Sequence, residues 1–100
     1  MSSLMTEIEV ANAVSVNISD ELLVVGLDDG RTVSLPLSWY PRLYLASEIE
    51  RSNLRFIGNG SGIHWEDLDE DLSIEGIIAG HRSQESQESL NRWLKSRNNH

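Results

Sequence analysis

The stretch 22-LLVVGLDDGRTVSLP-36 decides how this chain begins to fold. Two apolar runs flank Asp28-Asp29-Gly30-Arg31, and Asp-Gly between apolar runs is the strongest short signal for a β-hairpin. Because such a hairpin often closes through a type I′ turn, we expect positive φ at both central residues of the turn. Pro36 ends the second strand, since proline cannot donate a ladder hydrogen bond. The stretch therefore predicts antiparallel strand pairing.

Further elements are predicted on both sides of the hairpin. The residue patterns predict a strand near 10–17 before it, and a proline-containing helix around 38–44 after it. A second short helix follows, with Ser47 as its N-cap. The run 54–57 is typical of a strand, and the glycine-rich loop 58–62 connects it to a return strand.

A third helix is capped by Ser73 and ended by Gly80, and a last helix lies near the C-terminus. The order β-β-β-α-β-β-α plus this C-terminal helix predicts an α+β fold, a two-layer sandwich with an antiparallel sheet. We divide the chain into a flexible N-terminus at 1–9, an α+β domain at 10–80, and a polar linker with an amphipathic C-terminal helix at 81–100.

The composition is that of one small domain. The chain has 100 residues and no cysteine, so we expect no disulfide framework and a reducing compartment. It shows no signal-peptide pattern and no apolar run close to the roughly 20 residues of a membrane span. We therefore predict a cytoplasmic protein without a membrane partner.

Charge is distributed unevenly along the chain. The net charge is −8, and residues 1–80 carry fourteen acids against four arginines, whereas residues 81–100 carry four basic residues against two acids. DNA binding needs Lys and Arg to displace counterions, so the acidic body disfavours direct DNA contact. The same charge attracts a basic protein and speeds the encounter. Solubility alone is the plainer interpretation.

The acidic stretch 62-GIHWEDLDEDLSIEGIIAG-80 is open to several interpretations. Three aspartates have the first spacings of an EF-hand loop, but Leu72 and Ile78 stand where that loop needs a glycine and a bidentate glutamate. His64, His81 and His100 have no transition-metal spacing, and no serine has the context of a nucleophile. We therefore predict no metal, no cofactor, no catalytic residue and no enzyme activity.

Two features are candidates for binding a partner. The carboxylates either imitate phosphates in the cleft of a basic protein or form a solvated connection into the third helix. The C-terminal helix has an apolar stripe at i, i+3, i+4, which either folds back on the sheet or docks on another chain. The predicted partner-binding residues are Glu66, Asp67, Asp69, Glu70, Asp71, Leu90, Trp93 and Leu94.

Two blocks of the sequence, VSLPLSWYPRLYLAS and IGNGSGIHWEDLDEDLSIEGIIAG, carry a family resemblance. They resemble the hallmark blocks of the bacterial family known as domain of unknown function 2442, over about residues 10–80. The resemblance implies the element order given above and supplies no catalytic residue. Some members are similar to the antitoxin half of small operons, and others carry a helix-turn-helix for which the tail here is too short. The family motif falls on Tyr40, Pro41, Leu43, Gly62, His64, Trp65, Leu68, Asp69, Asp71, Leu72, Ser73 and Gly76.

Together these features predict a non-enzymatic protein-interaction module. Its most specific form is an antitoxin-like inhibitor of a small, basic, toxin-like protein, and a homodimer is compatible with the apolar stripe. The alternatives are a transcription-associated regulator and a protein of another role that makes no nucleic-acid contact.

Overall fold

The computed structural model describes residues 11–97, so the predicted flexible N-terminus at 1–9 lies outside the described residues. The strands of the described part are β1 (Ala13–Ile18), β2 (Leu22–Leu27), β3 (Thr32–Pro36), β4 (Leu54–Ile57), β5 (Gly62–Trp65) and β6 (Glu70–Ser73). Its helices are α1 (Pro41–Tyr44), α2 (Glu48–Ser52), α3 (Ile74–Ile78) and α4 (Gln87–Arg97). Short 3₁₀ turns span Leu37–Trp39, Gly58–Gly60 and Glu66–Leu68.

The predicted α+β class is confirmed, with two small antiparallel sheets where the sequence predicted one. β1, β2 and β3 form the first sheet, and β4, β5 and β6 form the second. The sequence did not predict β6, because acidic residues are depleted in strands and this segment looked like a solvated connection. Pairing with β5, in which Ile63 lies opposite Leu72, makes the segment a strand.

The β2–β3 hairpin forms at the predicted place, but its turn differs from the predicted one. Gly30 has a φ of 91°, whereas Asp29 is not in the positive-φ region, so the prediction of a type I′ turn is wrong. The Leu27 N–H donates to the Arg31 carbonyl at 2.9 Å, and the Gly30 N–H donates to the Leu27 carbonyl at 3.2 Å. These bonds define a three-residue loop, in which a turn is followed by a glycine of positive φ.

The core lies where the two sheets meet helices α1 and α3. Trp65 is fully buried and Tyr40 is 2% exposed. The Tyr40 hydroxyl donates to the His81 carbonyl at 2.8 Å, and the Trp65 indole N–H donates to the Arg51 carbonyl at 2.9 Å. Both side chains therefore bury their rings while their polar atoms stay bonded. The other buried apolar residues are Ala11, Ala13, Leu23, Val25, Leu27, Leu35, Leu37, Leu43, Ile63, Leu68, Ile74, Ile77 and Leu90.

Side-chain caps begin α2 and α3 at the predicted residues. The Ser47 hydroxyl accepts the Glu50 N–H, and the Glu50 carboxylate accepts the Ser47 N–H, so the two residues form a capping box. The Ser73 hydroxyl accepts the Gly76 N–H at 3.0 Å and caps α3. Gly80, with a φ of 76°, lies just past the end of α3.

A close backbone contact joins the loop between β4 and β5 to the first sheet. Gly60 has a φ of 97°, and a Cβ placed on it would come within 2.7 Å of the Ala13 carbonyl oxygen. Glycine allows both this φ and this approach. The loop at 58–62 is therefore fixed against β1.

Helix α4 packs on the body of its own chain, which is the first of the two arrangements that the sequence left open. Arg97 on α4 pairs with Glu50 on α2, and Arg42 on α1 pairs with Glu85 just before α4. Trp93 packs against the core. Within residues 11–97, no helix has the length and apolar character needed to cross a bilayer.

Candidate functional site

Strand β6 divides the predicted acidic cluster between two faces of the second sheet. Neighbouring residues of a strand point to opposite faces. Glu70 lies opposite the buried Trp65, whereas Asp71 lies opposite His64. The sequence placed both carboxylates on one surface, but the alternation along β6 turns Glu70 toward the interior and Asp71 outward.

His64 is held between two carboxylates on the outer face. Its Nδ1 lies 2.6 Å from Asp71, and its Nε2 lies 2.6 Å from Glu66. Both ring nitrogens must donate if both carboxylates are to be bonded, so the arrangement favours the imidazolium. Two hydrogen bonds raise the pKa of His64: the larger effect comes from Asp71 and the smaller from Glu66. When it is protonated, His64 therefore balances part of the negative charge of the stretch within the chain.

Glu70 lies in a polar cleft between β6, α1 and the segment that precedes α4. The cleft has a volume of about 620 Å³ and also contains Tyr40, Arg42 and Glu85. Burial raises the pKa of the Glu70 carboxyl to about 7, and Arg42 opposes part of this rise. The sequence predicted a solvated carboxylate here, because it gave no sign of the strand that turns this side chain inward.

Arg42 connects this cleft to the C-terminal segment. Its Nε and Nη2 donate to the Glu85 carboxylate at 2.6–3.0 Å, and its Nη1 donates to the Leu68 carbonyl at 2.8 Å. The side chains of Arg42 and Glu85 are 17% and 12% exposed, so solvent screens this pair much less than a surface ion pair. The hydrogen bond lowers the pKa of Glu85 and raises that of Arg42. The pair fixes the point from which α4 begins.

A second groove brings together four of the predicted partner-binding residues. It has a volume of about 740 Å³ and lies between the 3₁₀ turn at 66–68 and the last turns of α4. We call it the acidic groove. It is lined by Glu50, Glu66, Asp67, Leu68, Asp69, Trp93, Ser96 and Arg97. Carboxylates therefore face an aromatic ring and the end of a helix across it.

The backbone and its neighbours set the positions of two acids in the groove. The Asp67 carboxylate accepts a hydrogen bond from the Asn53 side-chain amide at 2.9 Å. Asp69 has a φ of 48°, a left-handed conformation that aspartate adopts more easily than most residues, and it closes the turn into β6. Both side chains are exposed, so they are available to a ligand in the groove.

Glu50 and Arg97 close one end of the acidic groove. The two terminal nitrogens of Arg97 donate to the two carboxylate oxygens of Glu50 at 2.7 and 2.8 Å. The Arg97 guanidinium lies 4.5 Å from the centre of the Trp93 ring, and that of Arg42 lies 5.3 Å from it. The hydrogen bonds from Arg97 are the main reason that the pKa of Glu50 falls to about 2. Sequence reasoning missed this pair, because its members are 47 positions apart and belong to no motif.

The predicted apolar stripe of α4 is used mainly to dock the helix. Leu90 is 9% exposed, and Trp93 and Leu94 are half-buried. Of these three residues, Trp93 lines the acidic groove. The stripe thus supplies one aromatic ring to the groove instead of a broad apolar surface.

The residues of the family motif mainly build the fold. Pro41 begins α1, where its missing N–H costs nothing. A Cβ on Gly76 would lie 2.8 Å from the Ser73 hydroxyl, so this glycine makes room for the cap of α3. Buried motif residues are Tyr40, Leu43, Gly62, Trp65 and Leu68, and half-buried ones are Pro41, His64, Leu72 and Gly76.

In the part of the chain that the structure describes, no group of three histidine or acidic side chains could hold a metal ion. His64 is the histidine nearest to the acids, and both of its ring nitrogens already contact carboxylates. His100 lies outside the described residues.

The element order and the positions of the motif residues point to one family. A family model described as "Protein of unknown function (DUF2442)" matches residues 13–83. The chain belongs to this family. The resemblance seen in the sequence is thereby confirmed. The DUF2442 match spans both sheets and ends before α4, so Trp93 and Arg97 lie outside the matched part.

Two solved structures share the DUF2442 fold. A protein of unknown function from Rhodospirillum rubrum ATCC 11170 is 30% identical, with a TM-score of 0.64 over 77% of this chain and 95% of that chain. An uncharacterized protein from Chromobacterium violaceum is 22% identical, with a TM-score of 0.62 over 91% of this chain and 82% of that chain. The latter similarity concerns the fold alone. No curated protein matches the chain.

Proposed function

We propose that this DUF2442 protein is a non-enzymatic interaction module that binds a small basic protein through the acidic groove. One observation carries the proposal: Glu66, Asp67 and Asp69 meet Trp93, from a distant part of the sequence, in a single groove. The finer form of the proposal is an antitoxin-like inhibitor that acts in the cytoplasm.

The charges of the chain support a basic partner. The net charge is −8, which attracts a basic protein from a distance and raises the rate of encounter. Within the groove, a cationic side chain can contact the carboxylates of Asp67 and Asp69 and also the face of Trp93, to which cations are attracted. If the partner uses its basic surface to bind phosphates, the carboxylates compete with them and inhibit it.

The structure reduces the set of acids that this mechanism uses. Glu66, Asp67 and Asp69 line the groove, whereas Glu70 and Asp71 line only the cleft, which Asp69 borders as well. We therefore assign partner binding to the first three acids and to Trp93. We assign the buried Leu90 and the half-buried Leu94 to the docking of α4 instead.

The test is a pull-down of the tagged protein from its native cell, followed by titration of the purified partner. The groove variant is Asp67→Asn/Asp69→Asn, because asparagine keeps the shape of aspartate and tolerates the left-handed φ of residue 69. We expect the wild type to recover a small basic protein at fixed ratio. We expect the groove variant to bind it at least about tenfold more weakly, a loss of about 1.4 kcal/mol.

The matched control is Glu21→Gln/Glu75→Gln, which removes the same charge at two exposed positions outside the groove. The control should bind like the wild type. Equal weakening by both variants would mean that total charge, not the groove, attracts the partner. If the pull-down recovers no basic protein, the proposal is contradicted. Salt-sensitive binding of duplex DNA would favour the alternative of a regulator at DNA.

A further inference from the structure

We propose that the Glu50 carboxylate and the Trp93 indole form a guanidinium-binding subsite, which Arg97 occupies in this chain and which an arginine of the partner takes over. The inference rests on the proposed function, since the subsite closes one end of the acidic groove. It specifies that the partner binds through an exposed arginine. Arg97 then competes with that arginine for the same subsite.

The geometry of the subsite is that of specific arginine recognition. Glu50 receives two parallel hydrogen bonds, at 2.7 and 2.8 Å, from the terminal nitrogens of one guanidinium. The same guanidinium lies 4.5 Å from the centre of the Trp93 ring. A planar fork against a carboxylate together with stacking on an aromatic face suits arginine and does not suit the compact ammonium of lysine.

Glu50 is held in place by contacts that do not involve Arg97. Its carboxylate accepts the Ser47 N–H at 2.9 Å in the capping box of α2. With Arg97 in place, the Glu50 side chain is 19% exposed. Arg97 is the main cause of the lowered pKa of Glu50, but the Ser47 N–H also lowers it, so the ionised carboxylate is favoured at neutral pH without Arg97 as well. The acceptor side of the subsite therefore persists when Arg97 leaves.

Trp93 is also anchored without Arg97. It packs against the core, and the Arg42 guanidinium, which is fixed by Glu85, lies 5.3 Å from the centre of its ring. Arg97, in contrast, lies one turn beyond Trp93 on α4, and within residues 11–97 its guanidinium donates hydrogen bonds to Glu50 alone. Other staggered rotamers of this long side chain take the guanidinium away from Glu50. Arg97 can therefore swing away while Trp93 keeps its place.

The surroundings of the subsite provide an entry for a second arginine. The groove of about 740 Å³ leads from the subsite along Asp67 and Asp69, whose side chains are exposed. These two carboxylates attract a cation at the open side of the groove. A partner's arginine can thus approach along the acids and replace Arg97 on Glu50.

The experiment uses N-acetyl-arginine amide as the probe and follows the Trp93 indole and Glu50 signals by NMR titration. An internal competitor that fills the subsite roughly nine-tenths of the time weakens the apparent affinity about tenfold. We therefore expect Arg97→Ala to bind the probe about tenfold more tightly than the wild type. The Glu50→Gln/Arg97→Ala variant should lose this gain, and N-acetyl-lysine amide should bind Arg97→Ala more weakly than the arginine probe.

Arg92→Ala is the matched control, because Arg92 lies on the same helix but pairs with the exposed Glu88 at the surface. It should bind the probe like the wild type. A gain in Arg92→Ala equal to that in Arg97→Ala would overturn the inference, as would equal binding of the arginine and lysine probes. Arg97→Gln repeats the test with a longer side chain, and a probe affinity equal to the wild type in both Arg97 variants would also overturn it.

The outcome separates this inference from the proposed function. The probe is a small molecule, so its binding does not depend on whether a basic protein partner exists. If probe binding requires Glu50 but the pull-down recovers no basic protein, the subsite is supported and the proposed function is contradicted. If partner binding requires Asp67 and Asp69 but is unchanged by Glu50→Gln, the proposed function is supported and the subsite is contradicted.

Discussion

Ser73 and Gly76 act together at the start of α3. The Ser73 hydroxyl accepts the Gly76 N–H at 3.0 Å, and the missing Cβ of Gly76 leaves space for that hydroxyl. Ser73 could be predicted as a cap, because capping depends on residue type and on the next few positions. The role of Gly76 could not, because it depends on where the serine oxygen lies in space.

We expect Ser73→Ala to lower the free energy of unfolding by about 1 kcal/mol, because an N–H at the start of α3 loses its acceptor. Urea denaturation followed by circular dichroism measures the change. Ser38→Ala is the control, since Ser38 is exposed inside a 3₁₀ turn and caps no helix. Losses of the same size in both variants would contradict the capping role.

Glu70 makes stability depend on pH. Burial raises its pKa from the ordinary 4.5 to about 7, so the folded protein holds the proton more tightly than the unfolded chain does. Stability therefore falls as pH rises between these values, and the cost is fully present above pH 7. We expect Glu70→Gln to raise the free energy of unfolding at pH 8 by about 1–2 kcal/mol, allowing for solvent in the cleft.

Urea denaturation at pH 4 and pH 8 tests this prediction. The gain from Glu70→Gln should be present at pH 8 and absent at pH 4, where the folded protein already carries the proton. Glu75→Gln, at an exposed position on α3, should keep the pH dependence of the wild type. A gain from Glu70→Gln that is the same at both pH values would show that charge burial is not its cause.

At the scale of elements, β4 and β6 show what a local pattern can and cannot predict. β4 was predicted at its observed bounds, Leu54–Ile57, because β-branched and aromatic residues follow one another and glycines end the run. β6 has one apolar residue, Leu72, and so has no alternation that could reveal it. Its pairing with β5 supplies the missing information, and that pairing decides which way each acid points.

The docking of α4 also depends on contacts that no local pattern reveals. Glu85 accepts hydrogen bonds from Arg42 and from the Ser89 hydroxyl, the latter at 2.8 Å, and so joins α1 to the start of α4. We expect Glu85→Gln to weaken this docking by about 1–2 kcal/mol, since hydrogen bonds between charged groups are the strong ones. Amide exchange in α4 should become about tenfold faster while exchange in β2 is unchanged.

Glu88→Gln is the control for this prediction. Glu88 lies on the same helix and pairs with Arg92, but the two side chains are 85% and 68% exposed. Exposed pairs contribute little, so amide exchange in α4 should stay close to the wild type. Equal acceleration in the two variants would mean that the Arg42–Glu85 pair does not hold the helix.

At the scale of the whole molecule, Gly60 is a point where the two sheets touch. We expect Gly60→Ala to lower the free energy of unfolding by at least about 2 kcal/mol, because a Cβ must displace the Ala13 backbone. Gly30→Ala is a matched control, since Gly30 has a similar φ of 91° but open space around it. We expect that variant to lose about 1 kcal/mol from backbone strain alone.

Thermal unfolding of the two glycine variants and the wild type provides the measurement. The difference between the two losses isolates the contact between the sheets from the strain of a positive φ. Losses of equal size would contradict a close junction at Ala13. The sequence indicated both glycines as turn residues, but it could not distinguish the packed one from the open one, because that difference arises only when distant strands meet.

The order of the strands has a consequence for the synthesis of the protein. Each sheet consists of strands that follow one another directly, the first from Ala13 to Pro36 and the second from Leu54 to Ser73. Short connections cost little closure entropy, and local contacts favour fast folding. On the ribosome, the first sheet can therefore pair before Leu54 has emerged, and both sheets precede α4. A nascent chain thus passes through a stage that has both sheets but lacks the acidic groove, and the proposed binding through that groove requires that α4 has left the exit tunnel.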